Sequence, residues 1–454
     1  MLDLPASAQD YYWRAMVELQ LREPGAPHRA IALFEQALAL EPRFAAAYLG
    51  IAYACRAAVF AREWSIDEAA AKGRVAVARA LEIDRNLVEA YVVEAFLLTM
   101  QWRSIEAEVP LRHARAIAPD HVGVLTLTAN LATYDGRPAV ALKLRERLAR
   151  LDPLSPLLYA LWARDLATAG QFEEALAKSA EATAIDAEAL VAVDVAVRIR
   201  VWYGRFADAL QDFQARPRSS TFDLYARVAI VASHIAQGEL DEAERVFAEF
   251  EPKAPEPPAY AEAAVALLWA RGAYDDAVRW IEGEGRALVQ EPWRGGFRAH
   301  SLALAGRRAE AVAGYRETFV DSGNRDLVAA SVYPLHLGLS EIANWVVLER
   351  EQGGDGGEGL AYFESRIALM TAGGFGMPML DYYRAVAAVL HGDLPAADAA
   401  LGRAIAAGWL APQAFTVDLV WRGVADEPWL LARRQQIGAR IAAELARRTQ
   451  RGGA

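Results

Sequence analysis

GQFEEALA, Gly170 to Ala177, decides how this chain is read, because its skeleton returns at a fixed interval. GRPAVALK starts at Gly136, GRFADALQ at Gly204, GELDEAER at Gly238, GAYDDAVR at Gly272 and GRRAEAVA at Gly306, so that with Gly170 the six glycines stand 34 residues apart. The alanines Ala141, Ala175, Ala209, Ala243, Ala277 and Ala311 keep the same interval. Between the glycines, apolar residues recur at helical spacing. PLLYALWARDLATA predicts one amphipathic helix, with proline in the first turn, where its missing N–H is not needed. Gly170 ends it in the left-handed conformation that closes helix C-termini. EEALAKSAEATAI predicts a second helix, its acids facing the positive end of the dipole. Ala175 then falls where the two helices cross, a place that admits only a small side chain.

The composition narrows the function. The chain has 454 residues, long for one compact core, but a repeat array escapes that limit because each unit packs only on its neighbours. A net charge of −11 argues against nucleic acid and against anionic membrane surfaces. Only four of the 48 basic residues are lysine, a bias that reads as base composition. The lone Cys55 forms no internal disulfide and fits a reducing compartment. MLDLPASAQDYYWRAM lacks a basic start with an apolar run after it, and no long uncharged apolar stretch occurs. The expectation is a cytoplasmic protein.

The period and its contents resemble the tetratricopeptide repeat, whose pattern is W-x2-L-G-x2-Y, then A-x3-F, then P. Ala30, Phe34 and Pro42 match its second half; Ala107 and Pro119 fit, with Leu111 in the aromatic slot. Tyr159, Trp162 and Ala163 fill first-helix positions, and Pro153 closes the preceding unit. Arg200 and His234 depart from the pattern, and the closing proline after Ala182 is missing. The resemblance implies an all-α, right-handed superhelical solenoid of about eleven helix pairs with a C-terminal capping helix. The regular array is expected over 1–320, and an irregular helical insertion with Gly-rich connectors over 321–377. A terminal pair follows over 378–410 and a capping segment over 411–454. About nine extra residues are expected near Val59–Asp67. ARALEIDRNLVEAY, RHARAIAPDH and ERLARLDPLSP also resemble the repeat-bearing halves of bacterial signalling proteins, where such arrays follow a winged-helix or cyclase domain. That likeness implies a sensory or docking half without an output domain.

Catalytic spacings are missing. There is no phosphate loop, no H-E-x-x-H, no G-x-S-x-G, and one cysteine excludes cysteine-rich zinc sites. The seven scattered histidines read as loop or packing residues, and Glu173–Glu174 and Asp275–Asp276 as dipole and cap residues. No catalytic residue, cofactor or metal is expected.

The family resemblance implies that first helices line the concave face. It places Tyr53, Phe96, Asn130, Arg164, Arg198, Ala232, Ala266 and His300 there, one per repeat. Asn130, Arg164 and Arg198 would form a ladder of donors suited to an acidic segment or a C-terminal carboxylate. The competing reading pairs Arg164 with Asp165 or Asp194, and Arg198 with Asp194. Trp202, Trp269 and Trp293 fall near the same face, as tryptophan anchors or as core. The family's lysine-based carboxylate clamp has no counterpart here. The expected function is a non-catalytic scaffold binding a protein or peptide in this groove. The alternatives are a regulatory sensor holding a small ligand or signalling peptide, and an enzyme with its site in 321–378.

Overall fold

The computed structural model describes residues 6–21, 23–61, 63–101, 103–186, 190–215, 223–250, 258–289, 293–321 and 339–452. Among them there is no strand. The chain divides into two compact units, Met1–Leu131 and Ala132–Ala454. A single regular array over 1–320 is the sequence expectation; the division falls inside the helix Val122–Tyr134.

The recurring glycines work as read. At Gly170, φ is +87°, Gln171 N–H donates to the Leu166 carbonyl at 2.9 Å, and Gly170 N–H donates to Ala167 at 3.0 Å. These two bonds satisfy carbonyls that the end of Pro156–Thr168 would otherwise leave open. The same pair of bonds recurs at Gly136, Gly204, Gly238, Gly272 and Gly306. After each turn the second helix starts, as Phe172–Ile185 does after Gly170. All six recurring alanines are fully buried. The tetratricopeptide-type unit, two helices joined by a tight turn, is therefore present, and each pair packs on the next within its unit.

The departures from the repeat pattern have local causes. Arg200 forms an ion pair with Asp212 on the second helix of its own pair. His234, 1% exposed, holds Glu239 of the following turn at 2.7 Å. The extra residues near Val59–Asp67 go largely into longer helices, Ala45–Phe60 and Ile66–Ile83. Ser65 caps the second of these, accepting from Glu68 N–H while Glu68 accepts from Ser65 N–H. Within 321–377, residues 322–338 lie outside the described residues. Leu339–Glu351 and Gly357–Ala372 form a further pair around the turn at Gly353–Gly356. Pro378–Leu390 and Leu394–Ala407 form another. The 411–454 segment adds a short helix, Ala414–Val417, a 3₁₀ turn, Leu419–Val424, and the long helix Pro428–Gly452.

In the second unit the later pairs return to the earlier ones, turn against turn. Ala139 N–H donates to Gly373 at 3.1 Å, and Gly376 N–H donates to Thr168 at 2.9 Å. A Cβ on Gly170 would lie 2.8 Å from the Gly376 carbonyl oxygen, so that turn needs glycine for closeness as well as for its φ. The Gly204 turn meets Gly408 in the same manner. The final helix adds Glu444, which accepts from Ala207 N–H at 3.1 Å, and Arg448, which donates to Glu239.

Ala209→Leu or Ala243→Leu will overpack a helix crossing and lower stability by about 1–3 kcal/mol. Ala184→Leu, on an exposed helix position, will leave it nearly unchanged. Equal losses in denaturant melts would contradict this assignment of crossings.

Candidate functional site

In the first unit, Tyr53, Arg56 and Phe60 follow at intervals of three and four along Ala45–Phe60 and share one stripe. The opposite side of that helix is small and buried, with Ala52, Ala54, Cys55 and Ala58 at 0% exposure. Phe96 of Val88–Met100 stands beside the stripe. The Arg56 guanidinium lies 5.3 Å from the centres of both the Tyr53 and Phe96 rings, and Phe60 packs 6.0 Å from Phe96. Phe60 is 37% exposed, and Tyr53, Arg56 and Phe96 are half-buried. No acid among the described residues pairs with Arg56. Burial holds its pKa below the usual value, with Tyr53 opposing. Burial likewise raises Tyr53, against the pull of Arg56. The result is a cation clamped by two rings in an acidic protein, its hydrogen-bond donors unanswered among the described residues. The sequence expectation puts Tyr53 and Phe96 inward but passes over Arg56, although it lies three residues from Tyr53. Asn130, half-buried, takes the same register position later in this unit.

In the second unit, Arg164 is 5% exposed and committed. Its Nε and a terminal nitrogen donate to one oxygen of Asp165 at 3.0 and 2.8 Å. Thr133 donates to that oxygen at 2.9 Å, and Arg145 Nε donates to the other at 2.8 Å. Arg145 and Asp165 are fully buried. Burial draws the Arg145 pKa down; at Arg164 the same pull is outweighed by Asp165 and Tyr134, which leave it raised. Arg198 is half-buried, 5.0 Å from the Trp202 ring and 5.2 Å from Tyr225. Trp202 is 6% and Trp293 9% exposed. Trp269 donates to Ser301 at 3.0 Å and stacks 4.5 Å from His300. His300 is fully buried, with Nε2 at 3.1 Å from the Val417 carbonyl, and burial pushes its pKa down to about 4, against the pull of that carbonyl.

The second unit thus covers most of its expected groove positions with its own chain. Trp202 and Ala232 line a small pocket with Met377, Met379 and Trp409, and His300 meets Val417. Of the seven residues expected to bind a partner, five are buried and only Asn130 and Arg198 keep substantial exposure. No group of His, Cys, Asp or Glu among the described residues is arranged to hold a metal ion. No helix among them is long and apolar enough to cross a membrane.

No protein-family model matches the chain, and no curated protein matches it. Among solved structures, it is similar to the human IFIT1 dimer with m7Gppp-AAAA, at 14% identity and a TM-score of 0.44, over 80% of this chain and 72% of that one. It is similar to YrrB, a TPR protein with an unusual peptide-binding site, at 18% identity and a TM-score of 0.29, over 40% of this chain and 89% of that one. It is also similar to TTC0263, a thermophilic TPR protein of Thermus thermophilus, at 20% identity and a TM-score of 0.35, over 45% of this chain and 99% of that one.

Proposed function

We propose that the protein is a non-catalytic scaffold whose first unit binds a peptide or protein segment across Tyr53, Arg56, Phe60 and Phe96. The observation that carries this reading is Arg56, a ring-clamped guanidinium without an acid partner among the described residues. A guanidinium takes a carboxylate through two parallel hydrogen bonds, and pre-ordering by the rings lowers the cost of forming them. Arginine and aromatic side chains are also the usual anchors of interfaces. The ligand segment therefore carries a side-chain or C-terminal carboxylate for Arg56 and an apolar residue for Phe60 and Phe96. Asn130 extends the same row as an amide able to bond a ligand backbone. In the second unit, Arg164 is spent on Asp165.

The test is selection from displayed peptides with free C-termini against the full chain. The expected winners pair a carboxylate with a neighbouring large apolar residue. Arg56→Glu will abolish their enrichment without shifting the melting temperature, because Arg56 makes no structural ion pair. Charge-assisted bonds of this kind are worth about 1.5–3 kcal/mol, so Arg56→Ala will weaken a selected peptide roughly tenfold or more. Amidating or neutralising the peptide's carboxylate will have the same effect. Winners without a carboxylate, or binding unchanged by Arg56→Glu, would overturn the assignment.

A further inference from the structure

The second unit buries acids that none of its described cations answers. Glu341, in the first turn of Leu339–Glu351, is 4% exposed and meets no hydrogen-bond donor or cation among the described residues. Its place is prepared from the facing helix Trp293–Leu304: a Cβ at Gly296 would lie 2.7 Å from Glu341 Oε2. Asp418, 2% exposed, accepts on Oδ2 from Ser340 at 3.0 Å and from the Tyr382 hydroxyl, while its Oδ1 has no donor. Tyr382 in turn accepts from Trp421 Nε1 at 3.0 Å. The Tyr383 hydroxyl, in a residue 1% exposed, is also without a partner, and it lies within the field of Asp418, Glu262 and Glu341. Native interiors pair nearly all their buried polar atoms, so a carboxylate, a carboxylate oxygen and a phenol left open together point to a ligand.

The open groups also say what kind. They offer acceptors, two of them carboxyl groups that a cation would ionise, beside the rings of Tyr382, Tyr383 and Trp421. Phenol and indole faces favour cations as the acids do. The other groups packed around are uncharged or remote: Asn344 is an amide, His300 is held neutral by burial, and Arg422 is exposed. We propose that this cluster binds the ammonium group of a small organic amine, with Glu341 as its counter-ion and Asp418 Oδ1 and the Tyr383 hydroxyl as further acceptors. This inference uses other residues than the peptide face of the first unit, and each stands or falls without the other. Burial pushes Glu341 up to about 8, so it enters the free protein as the acid. Amine binding then ionises it: the ammonium keeps its proton, the Glu341 O–H bond breaks, and that proton leaves to the buffer.

The experiment is calorimetry on the full chain with butylammonium and 1,4-diammoniobutane, and with butanol as the neutral control, in two buffers of different ionisation heat near neutral pH. Saturable binding of an amine but not of butanol is expected, with a heat that differs between buffers as a proton is released. Glu341→Gln keeps the shape of the neutral acid; it will weaken binding about a hundredfold and abolish the proton release. Gly296→Ala will do the same by filling the carboxylate's space. Tyr383→Phe, which removes one hydroxyl, will weaken binding severalfold and serves if the other variants fail to fold by circular dichroism. No saturable heat with either amine, unchanged binding in Glu341→Gln, or unchanged binding in Tyr383→Phe would overturn the proposal.

Discussion

Asp165→Ala will cost the second unit about 3–5 kcal/mol, the largest single-residue loss expected in the protein. Arg145 is fully buried and Arg164 nearly so, and Asp165 is the acid both donate to. Removing it takes from two buried guanidinium groups the carboxylate they share, and from the Thr133 hydroxyl the oxygen it donates to. Since a native domain is stable by only about 5–15 kcal/mol, the variant will unfold at markedly lower denaturant. Asp165→Asn will lose nearly as much, because the amide keeps the outline but not the charge. Replacing the three residues together, Arg145→Met, Arg164→Met and Asp165→Leu, will recover most of the loss, since apolar groups of similar volume carry no desolvation cost. A single-variant loss below about 1 kcal/mol, the range of exposed pairs, would show that water already shares these charges.

The melting temperature will fall as pH rises from mildly acidic to mildly alkaline. Burial raises Glu341 from 4.5 to about 8 and Asp418 from 3.8 to about 7. Between those values the folded state binds more protons than the unfolded one, so stability is full at low pH and is lost as pH climbs. His300 works the other way. Its pKa falls from 6.5 to about 4, so its contribution is full above the higher value and is lost on acidification. From pH 4.5 to 6.5 the histidine offsets one of the two acids. Above about 6.5 the histidine's offset fades while the acids still hold protons in the fold, so the loss is steepest near neutrality. Glu341→Gln will halve that slope and extend stability into alkaline solution. A flat or rising profile through neutrality would contradict the burial of these acids as neutral groups. A saturating amine will flatten the wild-type profile, since it supplies the missing positive charge.

The parts of the fold that were legible in the sequence depend on neighbours along the chain. The left-handed turn at Gly170 and the crossing at Ala175 each involve residues within one helix pair, so they leave a period. Arg164 beside Asp165 was visible for the same reason. Arg145, which completes that cluster from 20 residues back, was not, because an arginine on a second helix usually points to water. Arg56 escapes a pattern of one inward position per repeat, because a helix stripe also includes the residues three and four further on. The return of the later pairs onto the earlier ones left almost no trace: it runs through backbone at Gly136, Gly170, Gly204, Gly373, Gly376 and Gly408, and glycine contributes no side-chain pattern. The division at Leu131 was equally silent, since it interrupts a helix and carries no linker composition.

That turn-to-turn seam has a consequence for how the protein is made and how it can change. An open repeat array nucleates anywhere and tolerates gain or loss of a unit, because only neighbours touch. Here Ala207 is bonded to Glu444, 237 positions later, and Glu239 to Arg448, 209 positions later. Contacts so distant along the chain must wait for loop closure, which makes assembly slow. On the ribosome the middle helices emerge with their turn faces bare until the last helix has cleared the exit, a long interval in which a partner, a chaperone or another nascent chain can occupy them. The same seam fixes the repeat number: a duplicated 34-residue unit between Gly204 and Gly408 would carry one set of turns out of step with the other.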